Sequence, residues 1–388
     1  MFWLAQMADG ASLVLLSGHM GQLGFSGAQI SYVFSTTALA ALVSPLVAGW
    51  LADRYWPSQR LLGACYLIGA PLLLLAWRQT EFWPFWGVMA LFALVRLPGR
   101  TLTNVVAFYH LDQPERYGYL RVWGTVGWVF VSWCLSLYLH WWEWARMGDA
   151  LLLAAGLALV TGLYCWTLPH TPPASGQSQG WAFLGAFRLL RQRNFAVLTA
   201  IAFVSSAMSP FYYNFSFLFL TEAGGLGLQP SMGNWVQSLG QVAEVVVLLG
   251  LAASLRRWGM KRILLLGVGA QALRFAVFSL GQPLWLVVGA VALHGVIFTF
   301  LISGLTVAVE NLGGGQMRAR AQGLMTLVRS GVGALCGNFL AGWMYDSCVL
   351  EGGGHDWGTI FLLPACVTGA ALVVFGVFFG AGDGRPKD

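Results

Sequence analysis

Four polar side chains, Asn234, Gln237, Gln241 and Glu244, interrupt an otherwise apolar stretch. Their 3-4-3 spacing puts all four on one face of a helix, where residues three and four apart are neighbours. Beyond Glu244 the chain runs on as VVVLLGLAA. A carboxylate that ends an amide stripe can hydrogen-bond a polar solute or carry a proton; the plainer alternative is a Glu, neutral or ion-paired, that ties helices together. A second stripe, Arg121, Thr125, Trp128 and Ser132, is spaced 4-3-4 and likewise shares one helical face. Gly124 and Gly127 between its members allow a neighbouring helix to approach closely. Arg121 either meets solute or snorkels to an interface. Arg96, Arg100 and Asn104 flank Pro98 and Gly99, and suit pairing with Asp9 or Asp112 as well as substrate contact.

Further candidates are weaker in type. SSAMSPFYYNFSF surrounds Pro210, and its Tyr212 and Tyr213 can stack on a planar ligand or simply pack. Thr299, Ser303, Thr306 and Glu310 are spaced to share a face, with His294 and Phe298 as an adjacent pair. A lone buried His is ordinarily a satisfied core residue rather than a proton carrier, and Arg274 and Arg329 read as structural. No GxSxG, HExxH, CxxC or P-loop pattern occurs, and the glycines at 313–315 lack the strand a phosphate loop needs. Six cysteines show no metal-like spacing or disulfide framework. The expectation is a protein that is not an enzyme, with no metal and no cofactor.

The elements that must position these residues follow from composition. Charged residues are 9% and apolar residues 57% of 388, against roughly 25% charged in a soluble domain. So few charges cannot cover a water-facing surface of this size, so the other solvent is lipid. Long continuous apolar runs, rather than period-two alternation, indicate helices and not a barrel. Nineteen Trp and eleven Tyr suit two water–lipid boundaries. Spans are expected near 2–22, 28–51, 60–77, 82–108, 119–139, 149–168, 194–220, 231–254, 261–280, 284–310, 319–344 and 358–380. Fourteen of the 21 Lys and Arg fall on one side of these twelve spans, and only Arg78 and Arg146 on the other. By the positive-inside rule both termini are expected in the cytoplasm. The net charge of +6 therefore reflects orientation in a bilayer and not nucleic-acid binding. A Pro, Ser and Gly-rich connection divides the chain into an N-terminal six-helix bundle (1–168), a cytoplasmic linker (169–193) and a C-terminal six-helix bundle (194–388). A faint repeat agrees, with Gly49 eleven residues before Arg60 and Gly250 eleven before Lys261.

GWLADR after the second span resembles the loop signature of the major facilitator superfamily, which implies a conformational role for Gly49, Asp53 and Arg54. RVWGTVGW resembles the nucleoside:proton symporter family of that superfamily. TLPHTP, QVAE, WGMKRILLLGVGAQALRF, LHGVIFTF and RARAQGL extend the similarity almost end to end. The resemblance implies proton-driven uptake by alternating access, and substrate contacts at Arg121, Thr125, Trp128 (a Phe in the family), Gln241 and Glu244. It also marks departures. The family's seventh-helix Gln-x-x-Asn matches Pro210 and Tyr213, a tenth-helix Tyr matches His294, Phe298 is kept, and the following acid matches Thr299.

The expectation is an all-α membrane protein of the major facilitator fold, a divergent member of the symporter family. It would move a small polar, nucleoside-like solute with protons across the plasma (inner) membrane, as a monomer whose partners are solute, proton and lipid. Substrate binding is assigned to Arg121, Thr125, Trp128, Gln241, Glu244, Tyr213, His294 and Phe298, and proton coupling to Glu244, with an Arg121–Glu244 ion pair in the unloaded state. The alternatives are an organic-anion or sugar carrier on the same scaffold, and a membrane sensor that does not transport.

Overall fold

Apolar segments in lipid must satisfy every backbone polar group internally, which leaves the helix as the default element. The computed structural model describes residues 1–54, 56–111, 117–172, 182–313 and 318–380. Asp112, the glycines at 314 and 315 and the linker stretch 173–181 lie outside the described residues, as do the side chains of Gly49, Asp53 and Arg54.

The N-terminal part comprises α1 (Phe2–Leu13), α2 (Leu16–Gln22), α3 (Gly27–Arg54), α4 (Ser58–Arg78), α5 (Phe82–Tyr109), α6 (Tyr117–Trp141) and α7 (Asp149–Cys165). The 3-10 segment Ala182–Arg191 precedes α8 (Arg193–Thr221), α9 (Pro230–Leu249) and α10 (Leu251–Leu280). Then come α11 (Leu284–Val296), α12 (Gly304–Gly313), α13 (Arg318–Thr326), α14 (Ala334–Ser347) and α15 (Trp357–Phe378). Among the described residues, eight helices are long and apolar enough to cross a membrane, and two shorter apolar helices join them. Each of the twelve expected spans carries helix.

Four details differ from expectation. The first span is two helices, parted at Val14 and Leu15. The eighth ends at Leu249 rather than 254, and α10 turns at Gly259, whose φ of 76° only glycine adopts readily. Part of the expected linker is helical: Leu189 of Ala182–Arg191 is buried in the same apolar core as Phe195 and Leu324. The tenth and eleventh spans each contain a π-helical turn, Ile297–Ser303 and Leu327–Gly333. The extra residue in the first of these rotates the helix beyond it, so the expected face of Thr299, Ser303, Thr306 and Glu310 does not form. Thr299 is fully buried while Thr306 is exposed.

Two compact units emerge, Met1–Gln179 with Gln229–Ser238, and Gly180–Leu228 with Leu239–Asp388. In unit 1, α4 packs on α5 and α7, and α1 on α6 and α7. The expected close approach at Gly124 and Gly127 has α1 as its partner: a Cβ on Gly127 would meet Trp3 O at 2.6 Å. The TLPHTP segment is docked rather than loose. Ser58 N–H donates to Thr171 O at 3.0 Å, Thr171 N–H donates to Gln59 Oε1 at 2.9 Å, and His110 Nε2 lies 3.0 Å from Thr171 Oγ1. In unit 2, α10 packs on α15 and on Ile297–Ser303, while α8 packs on α14, α15 and Leu327–Gly333. At the end of α15, Lys261 Nζ donates to Phe379 O at 2.6 Å, satisfying a carbonyl that the helix end leaves open.

Candidate functional site

Unit 2 gathers four chemically active side chains from four helices. Glycines bring α9 and α11 into contact: a Cβ on Gly240 would meet His294 Cβ at 2.9 Å, and one on Gly295 would meet Glu244 N at 2.5 Å. That closeness sets Glu244 Oε2 3.7 Å from His294 Nε2, with both side chains buried. Tyr212 of α8 stacks on the imidazole, its ring centroid 5.7 Å away and the planes 18° apart. Tyr213 meets the same ring edge-on at 6.1 Å, and the ring of Phe298, four residues further along, lies 6.2 Å away. Behind Tyr212, the Arg274 guanidinium of α10 sits 3.8 Å from the ring centroid.

Polar ties fix α8 in place. Ser205 Oγ donates to Gln271 Oε1 at 2.6 Å, Gln271 Nε2 donates back to Ser205 O at 3.1 Å, and Asn214 Nδ2 donates to Asn338 Oδ1 at 2.7 Å. The π-helical turn begins three residues after His294 and contains Phe298 and Thr299. Such turns often mark functional positions because they release a helix from strict register.

Of the expected site residues, Glu244, His294, Tyr213 and Phe298 come together here. His294 is thus not a lone core histidine. Gln241 is half-buried one turn before Glu244 on the same helix face. Tyr213 is 49% exposed while Tyr212 is buried, so the second tyrosine of the pair presents its ring and the first braces the site. Arg274, which the sequence alone reads as structural, joins this cluster through Tyr212; an arginine within an apolar span was the available signal.

Unit 1 holds the second expected stripe. Arg121 and Thr125 are half-buried on α6. Trp128 turns its indole toward Gly10 of α1, so one side of that ring is taken up by helix packing. Arg96 Nε donates to Asp9 Oδ1 at 2.7 Å with both side chains buried, and Arg100 Nε lies 3.8 Å from Asp9 Oδ2. Asp9, one of the two acids considered for this pairing, is thus a partner of both arginines, while Asp112 lies outside the described residues. A small cavity beside the pair is lined by Asp9, Cys65, Tyr66, Phe92 and Arg96. Asn234, first member of the amide stripe, is spent on structure: its Nδ2 donates to Ser132 O at 2.8 Å and to Ser136 Oγ at 3.0 Å. Trp133 Nε1 donates to Ser238 Oγ at 2.9 Å, and Trp133 stacks on Trp235.

Apolar helices long enough to cross a membrane, intramembrane charges and a buried carboxylate–imidazole contact mark a polytopic transporter of the major facilitator class. The profile of the nucleoside H+ symporter family matches residues 1–383, and the chain belongs to that family. It is 32% identical over 391 residues to the putative nucleoside transporter YegT of Escherichia coli K12, covering 96% of this chain and 91% of that one. It is 30% identical to the xanthosine permease of the same strain, covering 98% and 93%. A crystal structure of the nucleoside transporter NupG superposes with a TM-score of 0.86 at 25% identity, covering 97% of each chain.

Proposed function

We propose that this protein carries nucleosides together with protons across the plasma membrane by alternating access, and that Glu244 is the residue that takes up and releases the proton. The observation that carries the assignment is the 3.7 Å contact of Glu244 with His294 inside a unit of membrane-spanning helices. A carboxylate beside an imidazole is not locked in its charged form as one beside a guanidinium is, so it can take up and release a proton. Gln241, Tyr213 and Phe298 supply hydrogen bonds and an aromatic face beside it, and Arg121, Thr125 and Trp128 are further substrate-binding residues. The bundles 1–168 and 194–388 act as the two halves, joined by 169–193. Gly49, Asp53 and Arg54 serve the conformational change at a cytoplasmic loop. Both termini lie in the cytoplasm, as the Lys and Arg distribution supports, and the monomer suffices.

One observation favours a second reading, transport of an organic anion. Arg100 stands beside an Asp9 already held by Arg96, and its side chain is 48% exposed. Proteoliposomes with an inward proton gradient separate the two. Accumulation of radiolabelled uridine, adenosine or xanthosine is expected, and accumulation of organic anions or sugars with none of these nucleosides would replace the nucleoside assignment.

A further inference from the structure

Arg274 is the largest fully buried side chain among the described residues, and its Nε and Nη1 have no hydrogen-bond partner there. A buried guanidinium is costly, and a purely space-filling position would be better served by an uncharged side chain. Its contact with the face of Tyr212 recovers only part of that cost. The opposite end of the same assembly holds a carboxylate. Arg274 lies against Tyr212, Tyr212 stacks on His294, and His294 contacts Glu244.

We infer that Arg274 is a positioning residue for the proton step, its fixed charge behind Tyr212 setting where the mobile proton rests in the Glu244–His294 pair. This rests on the proposed role of Glu244. The charged and titratable groups around the imidazole are Glu244 from α9, Tyr212 and Tyr213 from α8 and Arg274 from α10. Arg329, in the π-helical turn Leu327–Gly333, acts on Tyr213. Arg274 reaches the imidazole through the stacked Tyr212 ring. A permanent positive charge opposes a second one on the imidazole, so the proton that enters is left to the carboxylate. At ~10 Å and an effective dielectric of ~20, one charge alters a neighbour's protonation equilibrium by roughly tenfold. The stack also explains why Tyr212 is buried when its neighbour Tyr213 is exposed: it is the spacer that keeps Arg274 from pairing directly with Glu244 and quenching it.

The test is the initial rate of radiolabelled uridine, adenosine and xanthosine uptake against external pH, in proteoliposomes. Arg274→Gln is expected to move the midpoint of the profile by about one pH unit toward higher pH, whatever its maximal rate, and Arg274→Lys to keep the wild-type midpoint. A wild-type midpoint in Arg274→Gln, or an equal displacement in Arg274→Lys, overturns the inference. If Arg274→Gln does not fold, Tyr212→Leu decides: removing the spacer should displace the midpoint too, and an unmoved midpoint overturns the inference. Glu244→Gln separates the two levels of the proposal. A profile that keeps its pH dependence in that variant removes the proton role of Glu244 itself. A flat one, together with an unmoved Arg274→Gln, removes only the role of Arg274.

Discussion

Among the described residues, each unit buries a carboxylate beside a basic side chain, and the two pairs differ in kind. In unit 1, Asp9 meets Arg96 at 2.7 Å, and a guanidinium does not lose its proton in a protein. In unit 2, Glu244 meets His294 at 3.7 Å, and an imidazole does. The first pair fixes its charge; the second can change it. Distance and partner type together assign a static, helix-joining role to Asp9 and a proton-handling role to Glu244, although both are single acids within apolar spans. A buried acid in a transporter is thus classified by what faces it.

Breaking unit 1's pair should be the costlier change for stability. Arg96→Met leaves Asp9 with only the longer contact to Arg100, and loss of about 3–5 kcal/mol is expected for a buried pair that loses one member. Thermal unfolding of the purified variant measures it, and pH dependence of whatever transport remains should be unaltered. A weaker effect on stability, about 1–2 kcal/mol, is expected for His294→Gln, which leaves Glu244 a hydrogen-bonding neighbour; here the pH dependence of uptake should change. A Cβ at Gly295 would lie 2.5 Å from Glu244 N, whereas one at Gly127 would lie 2.6 Å from Trp3 O. Both substitutions to Ala should cost about 1–3 kcal/mol through overpacking. Only Gly295→Ala, by pushing Glu244 off His294, should alter proton dependence in an uptake assay.

The smallest effect is expected outside the membrane. Asp356 caps α15, accepting from Thr359 N–H at 3.1 Å and from Thr359 Oγ1 at 2.6 Å. Those bonds hold its carboxyl below the usual carboxylate range. A lowered value means stability that is present above the ordinary Asp range and lost as pH falls through the folded-state value. Asp356→Ala should cost about 1 kcal/mol at neutral pH, as a lost N-cap does, and less in acid.

The spans were legible because hydropathy and length follow from bilayer thickness alone. So were the glycines at 124 and 127, since small residues at helical spacing within an apolar run have little other use. The carboxylate stripe was legible as far as Glu244. Its first member was not, because Asn234 is taken by Ser132 and Ser136, about a hundred positions earlier in the chain. His294 was undervalued for the same reason: its partner lies on another helix, fifty residues away, and only the glycine contacts at 240 and 295 bring the two together. The π-helical turns leave no period in the sequence, so the stripe drawn through Thr299 and Thr306 assumed a regular helix that the chain does not form.

The central claim is that Glu244 handles the proton. Its direct test is Glu244→Gln in proteoliposomes, measuring radiolabelled nucleoside accumulation under an imposed proton gradient alongside exchange with no gradient. The account predicts that accumulation is abolished while exchange persists, because the amide keeps the shape and hydrogen-bonding reach of the side chain but carries no exchangeable charge. Retained accumulation driven by the proton gradient would contradict it.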